Sequence, residues 1–231
     1  QIHFHYFAAV REITAYCTAE IYRRFELGDI DGAFELLNAE LWLLRMFCDR
    51  QFMAEKVEMV QLLTQALSNA RDYFWTYQDR VSPDLFKNIS LRELPYLRPE
   101  RNRLLIPEAD RLVAEVVLDE VFDHRSGDPM PDQFADMFTR LQSSDEPLTR
   151  FGAAARWRSI AGRHASHLAS KERLQLIYDD WWRRWRIRNR QLAELTASEF
   201  DKANSMRYAA VLISVENIQE LFALRDNLQV A

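Results

Sequence analysis

The sequence predicts an all-α protein, and three observations lead to that prediction. Its 231 residues include only 5 Gly, too few for the phosphate loops and strand turns of a βα nucleotide-binding fold. Apolar residues make up 48% of the chain and recur every three or four positions along most of it. No segment has the alternating pattern of a strand. We therefore expect a mostly antiparallel helical bundle with two helical halves.

Composition and charge exclude several other classes of protein. The charged fraction of 28% and the high apolar fraction exclude intrinsic disorder, and a content of two cysteines excludes a disulfide scaffold. Lys and Arg number 30 against 35 Asp and Glu, so the net charge of -5 disfavours nucleic acid as a partner. No stretch approaches the roughly 20 apolar residues of a membrane-spanning helix.

The first two predicted helices form a hairpin. The first runs over 3–27 and ends at Gly28, because Gly suits the left-handed position after a helix, and Asp29 or Asp31 can cap the next helix. The second, over 30–50, is apolar nearly all round, so we expect other helices to surround it at the centre of the N-terminal bundle. The core face of the first helix is expected to contain Phe7, Val10, Ile13, Cys17, Ile21 and Phe25.

Later segments also follow helical patterns. A third helix is predicted over 52–80, and Ser82-Pro83 then opens a short one, with Ser as its cap. Residues 94–107 hold three prolines and three arginines and are the predicted linker or crossover between an N-terminal bundle, 1–93, and a C-terminal half, 108–231. One continuous domain over 1–231 is the alternative. In the C-terminal half, we expect helices over about 107–124, 132–141, 147–164, 171–195 and 197–228.

The two cysteines, Cys17 and Cys48, are not expected to form a disulfide. If the hairpin turns near 28–31, they lie about 12 residues before and about 18 residues after the turn, a mismatch of roughly 9 Å at ~1.5 Å of rise per residue. A disulfide needs Cα atoms within ~7 Å. We therefore expect two buried free thiols.

The segment Gly28–Ala33 resembles the turn of one tetratricopeptide-type helical pair, in which the small Ala33 lets the two helices approach. Cys17 and Ile21 depart from the Trp or Leu and the Gly of that repeat, and Arg45 departs from its closing Pro. No second copy follows at the ~34-residue period. We interpret the segment as a single hairpin rather than as part of a peptide-binding array.

Residues 181–190, WWRRWRIRNR, interleave aromatic and basic side chains, as do membrane-surface helices and grooves for single-stranded nucleic acid. Two interpretations remain open. In the structural one, Trp181 and Trp185 belong to the core and the arginines lie on the solvated face. In the other, the segment is a binding surface whose candidate residues are Trp182, Arg183, Arg184, Arg186 and Arg190.

The histidines do not form a recognisable metal site. His164 and His167 are one helical turn apart, but a metal needs three or four ligands and no third lies nearby in the sequence. The acidic segment around His124 is interpreted as a solvated helix end. No hydrolase, P-loop, redox or zinc-protease motif is present. The sequence predicts no metal, no cofactor and no catalytic residue.

The order of these segments resembles a planctomycete-type family of all-helical bacterial proteins. The resemblance rests on the Gly28–Ala33 hairpin, the helix that contains Ile177–Asp179, and the segment 206–224. Members of such a family commonly carry an N-terminal signal or anchor. The resemblance therefore implies a location in the cell envelope or periplasm, with a leader upstream of Gln1 and further chain after Ala231. It implies no activity, because none is assigned to the family.

The expected function is that of a non-enzymatic interaction or scaffold protein whose protein partner docks on helix faces or grooves. A membrane surface, reached through residues 181–190 or through an upstream anchor, is a further expected partner. The alternative is an enzyme or small-ligand-binding protein with a pocket between the two helical halves. Its candidate pocket residues are Arg101, Arg103, His124, His164 and His167.

Overall fold

A computed structural model describes residues 4–88, 106–142, 152–186, 197–215, 218 and 221–224. The protein is all-α, as the sequence predicts. Within the described ranges, extended backbone pairs only in an isolated bridge between Phe122 and Pro129.

The chain divides into two compact units. The N-terminal unit takes His3–Pro107 and Gln219–Ala231, and the second unit takes Glu108–Ile218 and Gln1–Ile2. The described residues 221–224 group with the N-terminal unit, and most of the predicted linker over 94–107 lies outside the described residues.

Helices of the N-terminal unit are α1 (Tyr6–Leu27), α2 (Ile30–Phe47), α3 (Met53–Thr76) and α4 (Pro83–Asn88). Residues 221–224 add a helical turn. Helices of the second unit are α5 (Ala109–Val121), α6 (Pro131–Gln142), α7 (Ala153–Ala161), α8 (His167–Arg186) and α9 (Ala209–Ser214).

The α1–α2 hairpin is fixed by its turn residues. Gly28 takes the left-handed conformation at φ 82°, which a residue without Cβ adopts without strain, and so ends α1 as predicted. Asp29 caps α2, since its side chain accepts the N–H of Gly32 at 3.1 Å. Arg24 Nη1 donates to the carbonyl of Gly32 at 3.0 Å. These bonds decide between the two predicted caps in favour of Asp29 over Asp31.

The core of the N-terminal unit lies between α1, α2 and α3. The rings of Phe25 and Tyr77 stack at 4.9 Å between centroids, and the ring of Phe34 stacks on that of Phe74 at 5.4 Å. Burying such side chains supplies most of the stabilisation of a helical unit. Fully buried side chains of these helices include Ile21, Phe25, Leu37, Leu41, Leu44, Val60, Leu63 and Tyr73.

Three predictions for this unit are wrong. Ile13 is 48% exposed, because it lies on the margin of the α1 stripe that faces the core. Helix α2 is not surrounded, since Trp42 and Met46 on its outward side are exposed. Both cysteines are free as predicted, but only Cys48 is buried, whereas Cys17 is half-exposed.

The second unit has an aromatic core. The ring centroids of Phe134 and Phe138 lie 4.7 Å apart, and Phe138 lies 5.0 Å from Trp157 of α7. Asp132, the predicted cap of α6, lies inside the first turn of that helix and pairs with Arg158 of α7 at 2.8 Å. Helices α6 and α7 are therefore linked by an exposed ion pair as well as by their core.

Side-chain hydrogen bonds to the backbone move two predicted boundaries in this unit. Helix α8 begins four residues before the predicted start, because the Ser166 side chain accepts the N–H of Ala169 at 3.4 Å. A single helix over 197–228 is wrong, since turns occupy 199–202 and 205–207 and α9 starts at Ala209. Asn204 accounts for the second turn, as its side-chain oxygen accepts the N–H groups of Met206 and Arg207.

Candidate functional site

A tight turn in the second unit, 122–129, carries the predicted pocket residue His124. The N–H of Asp123 donates to the carbonyl of Asp128 at 2.9 Å, and Gly127 takes a left-handed φ of 74°. Such a φ suits glycine because other residues meet a Cβ clash there. The turn therefore holds the exposed His124 at a fixed place after α5.

The same turn is tied to the first residue of α8, His167, whose N–H donates to the carbonyl of Gly127 at 2.9 Å. The rings of His124 and His167 lie 6.0 Å apart between centroids, nearly perpendicular at 82°. The ring of Phe122 lies 5.5 Å from that of His164 and 5.4 Å from that of His167. The fold thus brings together three of the five predicted pocket residues, with His164 and His167 against Phe122 and with His124 against His167.

Asp119, in the last turn of α5, joins this cluster. One of its carboxylate oxygens, Oδ1, accepts from Nε2 of His167 at 2.8 Å and from Nζ of Lys171 at 2.7 Å. The hydrogen bond from Lys171 holds the pKa of Asp119 below its ordinary value of 3.8; partial burial opposes this shift, and His167 adds to it. The His167 side chain is 19% exposed, whereas those of Asp119 and Lys171 are about twice as open, at 41% and 39%.

His164 differs from the other two histidines because both of its ring nitrogens are used. The N–H of Ala210, in α9, donates to Nε2 at 3.1 Å, so Nδ1 carries the proton and donates to the carbonyl of Ala165 at 2.9 Å. Burial lowers the pKa of His164 below its ordinary value, and the bond to Ala165 opposes that shift. His164 is therefore a neutral link between the start of α8 and α9.

The arrangement around His167 suits proton transfer. A carboxylate that holds one imidazole nitrogen fixes the ring and its tautomer, which leaves the other nitrogen to exchange a proton. Within the ranges described, no group of three or more His, Cys, Asp or Glu side chains is placed to hold a metal ion.

The aromatic and basic segment is divided between core and surface. Trp181 is 1% exposed and Trp185 is 7% exposed, which confirms their predicted place in the core. Trp182 is half-buried, and its indole Nε1 donates to Glu108 at 3.3 Å. Arg183 is exposed.

Arg184 does not lie on the solvated face, contrary to prediction. It pairs with Asp180 at 2.8 Å, with only 14% and 19% of the two side chains exposed. Asp180 also accepts the N–H of Glu199 at 3.0 Å, so the pair anchors the chain that follows α8. Binding by segment 181–190 to a membrane surface stays a prediction that depends on Arg183 and on residues outside the described ranges.

Four of the candidate side chains lie outside the described part of the structure: Arg101, Arg103, Arg186 and Arg190.

The structure adds an exposed apolar surface that the sequence analysis missed. Exposed positions of α2 follow helical spacing along one stripe, which continues just past the end of the helix. We call this stripe the outward face of α2: Glu35, Ala39, Trp42, Met46 and, two residues after the helix, Asp49. The apolar pattern all round this helix was the signal available. That pattern predicts a helix buried by other helices of the same chain, whereas Trp42 is 53% exposed and Met46 is 55% exposed.

Helix α5 of the second unit carries a smaller group of the same kind. Leu112, Val113 and Val116 are 54%, 43% and 57% exposed. None of the three is aromatic and both valines are smaller than methionine, so the outward face of α2 offers the larger apolar side chains.

Comparisons with protein-family models, with curated proteins and with solved structures found no match for the chain. The resemblance to a planctomycete-type family, and the envelope location that it implies, stay predictions. Among the described helices, none is both long enough and apolar enough to cross a membrane.

Proposed function

We propose that the chain is a non-enzymatic interaction protein whose protein partner docks on the outward face of α2. The observation that carries the proposal is the exposure of two large apolar side chains, Trp42 at 53% and Met46 at 55%, one helical turn apart. Tryptophan and methionine are enriched in protein interfaces, and tryptophan is among the residues that contribute most to binding energy. Single exposed apolar residues are common on any protein, but a pair on adjacent turns of one helix forms a patch.

The arrangement of charge along this face indicates the chemistry of the partner. The apolar centre, Ala39 with Trp42 and Met46, lies between Glu35 at one end and Asp49 at the other. Asp49 is paired with the almost buried Arg45 at 2.8 Å but remains half-exposed itself. An apolar centre with a charged rim is typical of protein interfaces. We expect a partner with an apolar groove or helix face and a basic rim.

The double variant W42S/M46S of the full chain tests the proposal. Both side chains are largely exposed, so we expect the free energy of unfolding to change by less than about 1 kcal/mol. Loss of two central apolar contacts should raise the Kd of the partner at least about 30-fold. The partner is first captured by crosslinking in cells of the source organism, then purified and titrated by calorimetry.

A matched control is W75S, because Trp75 of α3 is 76% exposed but lies on another helix. We expect W75S to bind the partner as the wild type does. Equal capture by the wild type and by W42S/M46S would contradict the proposal, as would a survey that recovers no partner at all.

A second candidate function, acid–base chemistry on a small molecule, is supported by the 2.8 Å bond between Asp119 and His167. In that reading, Asp119 orients the imidazole and His167 exchanges the proton. Turnover of ester, amide or phosphoester substrates that is lost in H167N and kept in H124N would favour it. No turnover by the wild type across such a panel would count against it.

A further inference from the structure

The interior of the N-terminal unit contains a carboxyl group with an unsatisfied oxygen. Glu40 of α2 is 4% exposed, and its Oε1 is fully buried without a hydrogen-bond partner among the described residues. A buried polar group without a partner is costly, and a buried unpaired negative charge is far more costly. In the closed unit, the neutral acid is therefore the favoured form of Glu40.

The groups that face Glu40 from the neighbouring helices do not pair with it. From α1 it is faced by the thiol of Cys17, whose pKa is raised first by burial and then by the negative charge of Glu40. From α3 it is faced by Tyr73, whose hydroxyl donates instead to the carbonyl of Thr18 at 3.3 Å. Neither group supplies a positive charge to a Glu40 carboxylate.

The buried lysine of the same unit is also engaged elsewhere. Lys56 is fully buried, and its ammonium donates to the carbonyl of Cys48 at the end of α2. Cys48 lies two helical turns from Glu40 along α2, about 12 Å at ~1.5 Å of rise per residue. None of these described groups therefore supplies a counter-ion to the ionised form of Glu40.

We propose that Glu40 is a proton switch of the N-terminal unit: the three helices close around its neutral carboxyl group, and ionisation of that group loosens α2 from α1 and α3. Loosening lets water reach the carboxylate and exposes apolar surface between the helices. The switch needs no ligand other than the proton, and its direction is fixed, since closure takes up a proton and opening releases one.

The direction of the pH dependence follows from the same burial. Burial raises the pKa of Glu40 from the ordinary 4.5 to about 7. The closed unit therefore keeps its proton between those values while an opened unit loses it, so closure weakens as the pH rises from about 4.5 to about 7. Above that range the stabilisation by the proton is absent.

Amide hydrogen exchange of the full chain between pH 5 and pH 8, corrected for the intrinsic pH dependence of exchange, tests this proposal. For the wild type, we expect protection of the amides in α1 and α2 to fall roughly 10- to 100-fold over that range. Amides of α5 and α8 in the same sample report on the second unit, where the proposal expects no fall in protection as the pH rises.

Two variants remove the ionisable group, and a third variant is the control. E40Q keeps the shape of the side chain, and E40M keeps its approximate volume without polar atoms, so the test survives if one of them folds poorly. Both should make the protection of α1 and α2 independent of pH. E35Q removes an exposed carboxylate from the same helix. In the free chain, the amide protection of E35Q should fall with rising pH as that of the wild type does.

The proposal is overturned if the wild type shows no fall in protection, or if E40Q and E40M both keep the dependence of the wild type. An equal loss of the dependence in E35Q would also overturn it, because the effect would then follow the net charge of α2 and not the buried group.

Discussion

His164 links two parts of the second unit through both of its ring nitrogens. Protonation of Nε2 would remove the acceptor of the Ala210 N–H, and burial already disfavours the charged ring. At the scale of single residues, a histidine whose pKa is lowered by folding makes stability depend on pH. As the pH falls through about 6.5, the unfolded chain takes up a proton before the folded chain does. The stabilisation by His164 is therefore complete above that pH and is lost below it.

We predict that H164Q lowers the free energy of unfolding by about 1–3 kcal/mol at pH 7.5, because two partly buried hydrogen bonds are weakened or lost. The difference from the wild type should shrink at pH 5, because protonation of His164 favours the unfolded wild-type chain there. Urea unfolding of the full chain measures both values. The control is H124Q, which changes an exposed histidine. If H164Q lowers the free energy of unfolding equally at the two pH values, the prediction is contradicted.

The burial of two ionisable side chains, Glu40 and Lys56, was not predicted from the sequence, although a signal existed. Glu40 follows Leu37 by three positions and precedes Leu44 by four, which places it on the apolar stripe of α2. Lys56 likewise follows Met53 by three positions and precedes Val60 by four on α3. Burial lowers the pKa of Lys56 to about 8. Periodicity says that such a position faces the core, but not whether the side chain finds a partner there, because that depends on the neighbouring helices.

The α1–α2 hairpin gives a prediction at the scale of an element. A methyl group added at Gly32 would overlap the Asp29 carboxylate and the Arg24 guanidinium, which together close the turn. We therefore expect G32A to lower the free energy of unfolding by about 1 kcal/mol or more, although alanine favours helix over glycine.

The control for this prediction is G162A at the end of α7. Gly162 has an ordinary φ of -65°, and a Cβ there would meet its nearest neighbour at 3.7 Å, a normal contact. G162A should leave stability unchanged or raise it by about 0.4–1 kcal/mol. Urea unfolding measures the free energy of unfolding of both variants. A G32A variant more stable than the wild type would contradict the prediction, because the overlap would then be relieved without cost.

Helix boundaries were predictable where Gly or Pro marks them. Gly28 ended α1, and Pro83 opens α4 after its cap Ser82, whose side chain accepts the N–H of Leu85 at 3.2 Å. Boundaries were missed where a polar side chain alone sets them, as at Ser166 and Asn204. Such residues also occur inside helices, so the sequence alone does not decide whether their side chains bond to the backbone or point to solvent.

For the whole molecule, the all-α class followed from the scarcity of glycine and from periodicity, and these properties do not depend on how the helices are arranged. The cluster of Asp119, His167 and Lys171 did depend on arrangement, because it joins residues 48 positions apart. The sequence named His124, His164 and His167 as pocket candidates but did not identify Asp119 as the residue that holds His167. The openness of α2 was missed for the same reason, since a pattern shows which side chains avoid water but not what covers them.

The outward face of α2 as a docking surface is tested most directly by photo-crosslinking from that face. A benzophenone amino acid replaces Trp42 in one variant and the exposed Asp72 of α3 in another, and both full-length variants are irradiated in cells of the source organism. We predict one dominant adduct from position 42 that is absent from position 72. Excess wild-type chain without the benzophenone should suppress this adduct, and excess W42S/M46S should not. The same adducts from both positions, or none from position 42, would contradict the proposed function.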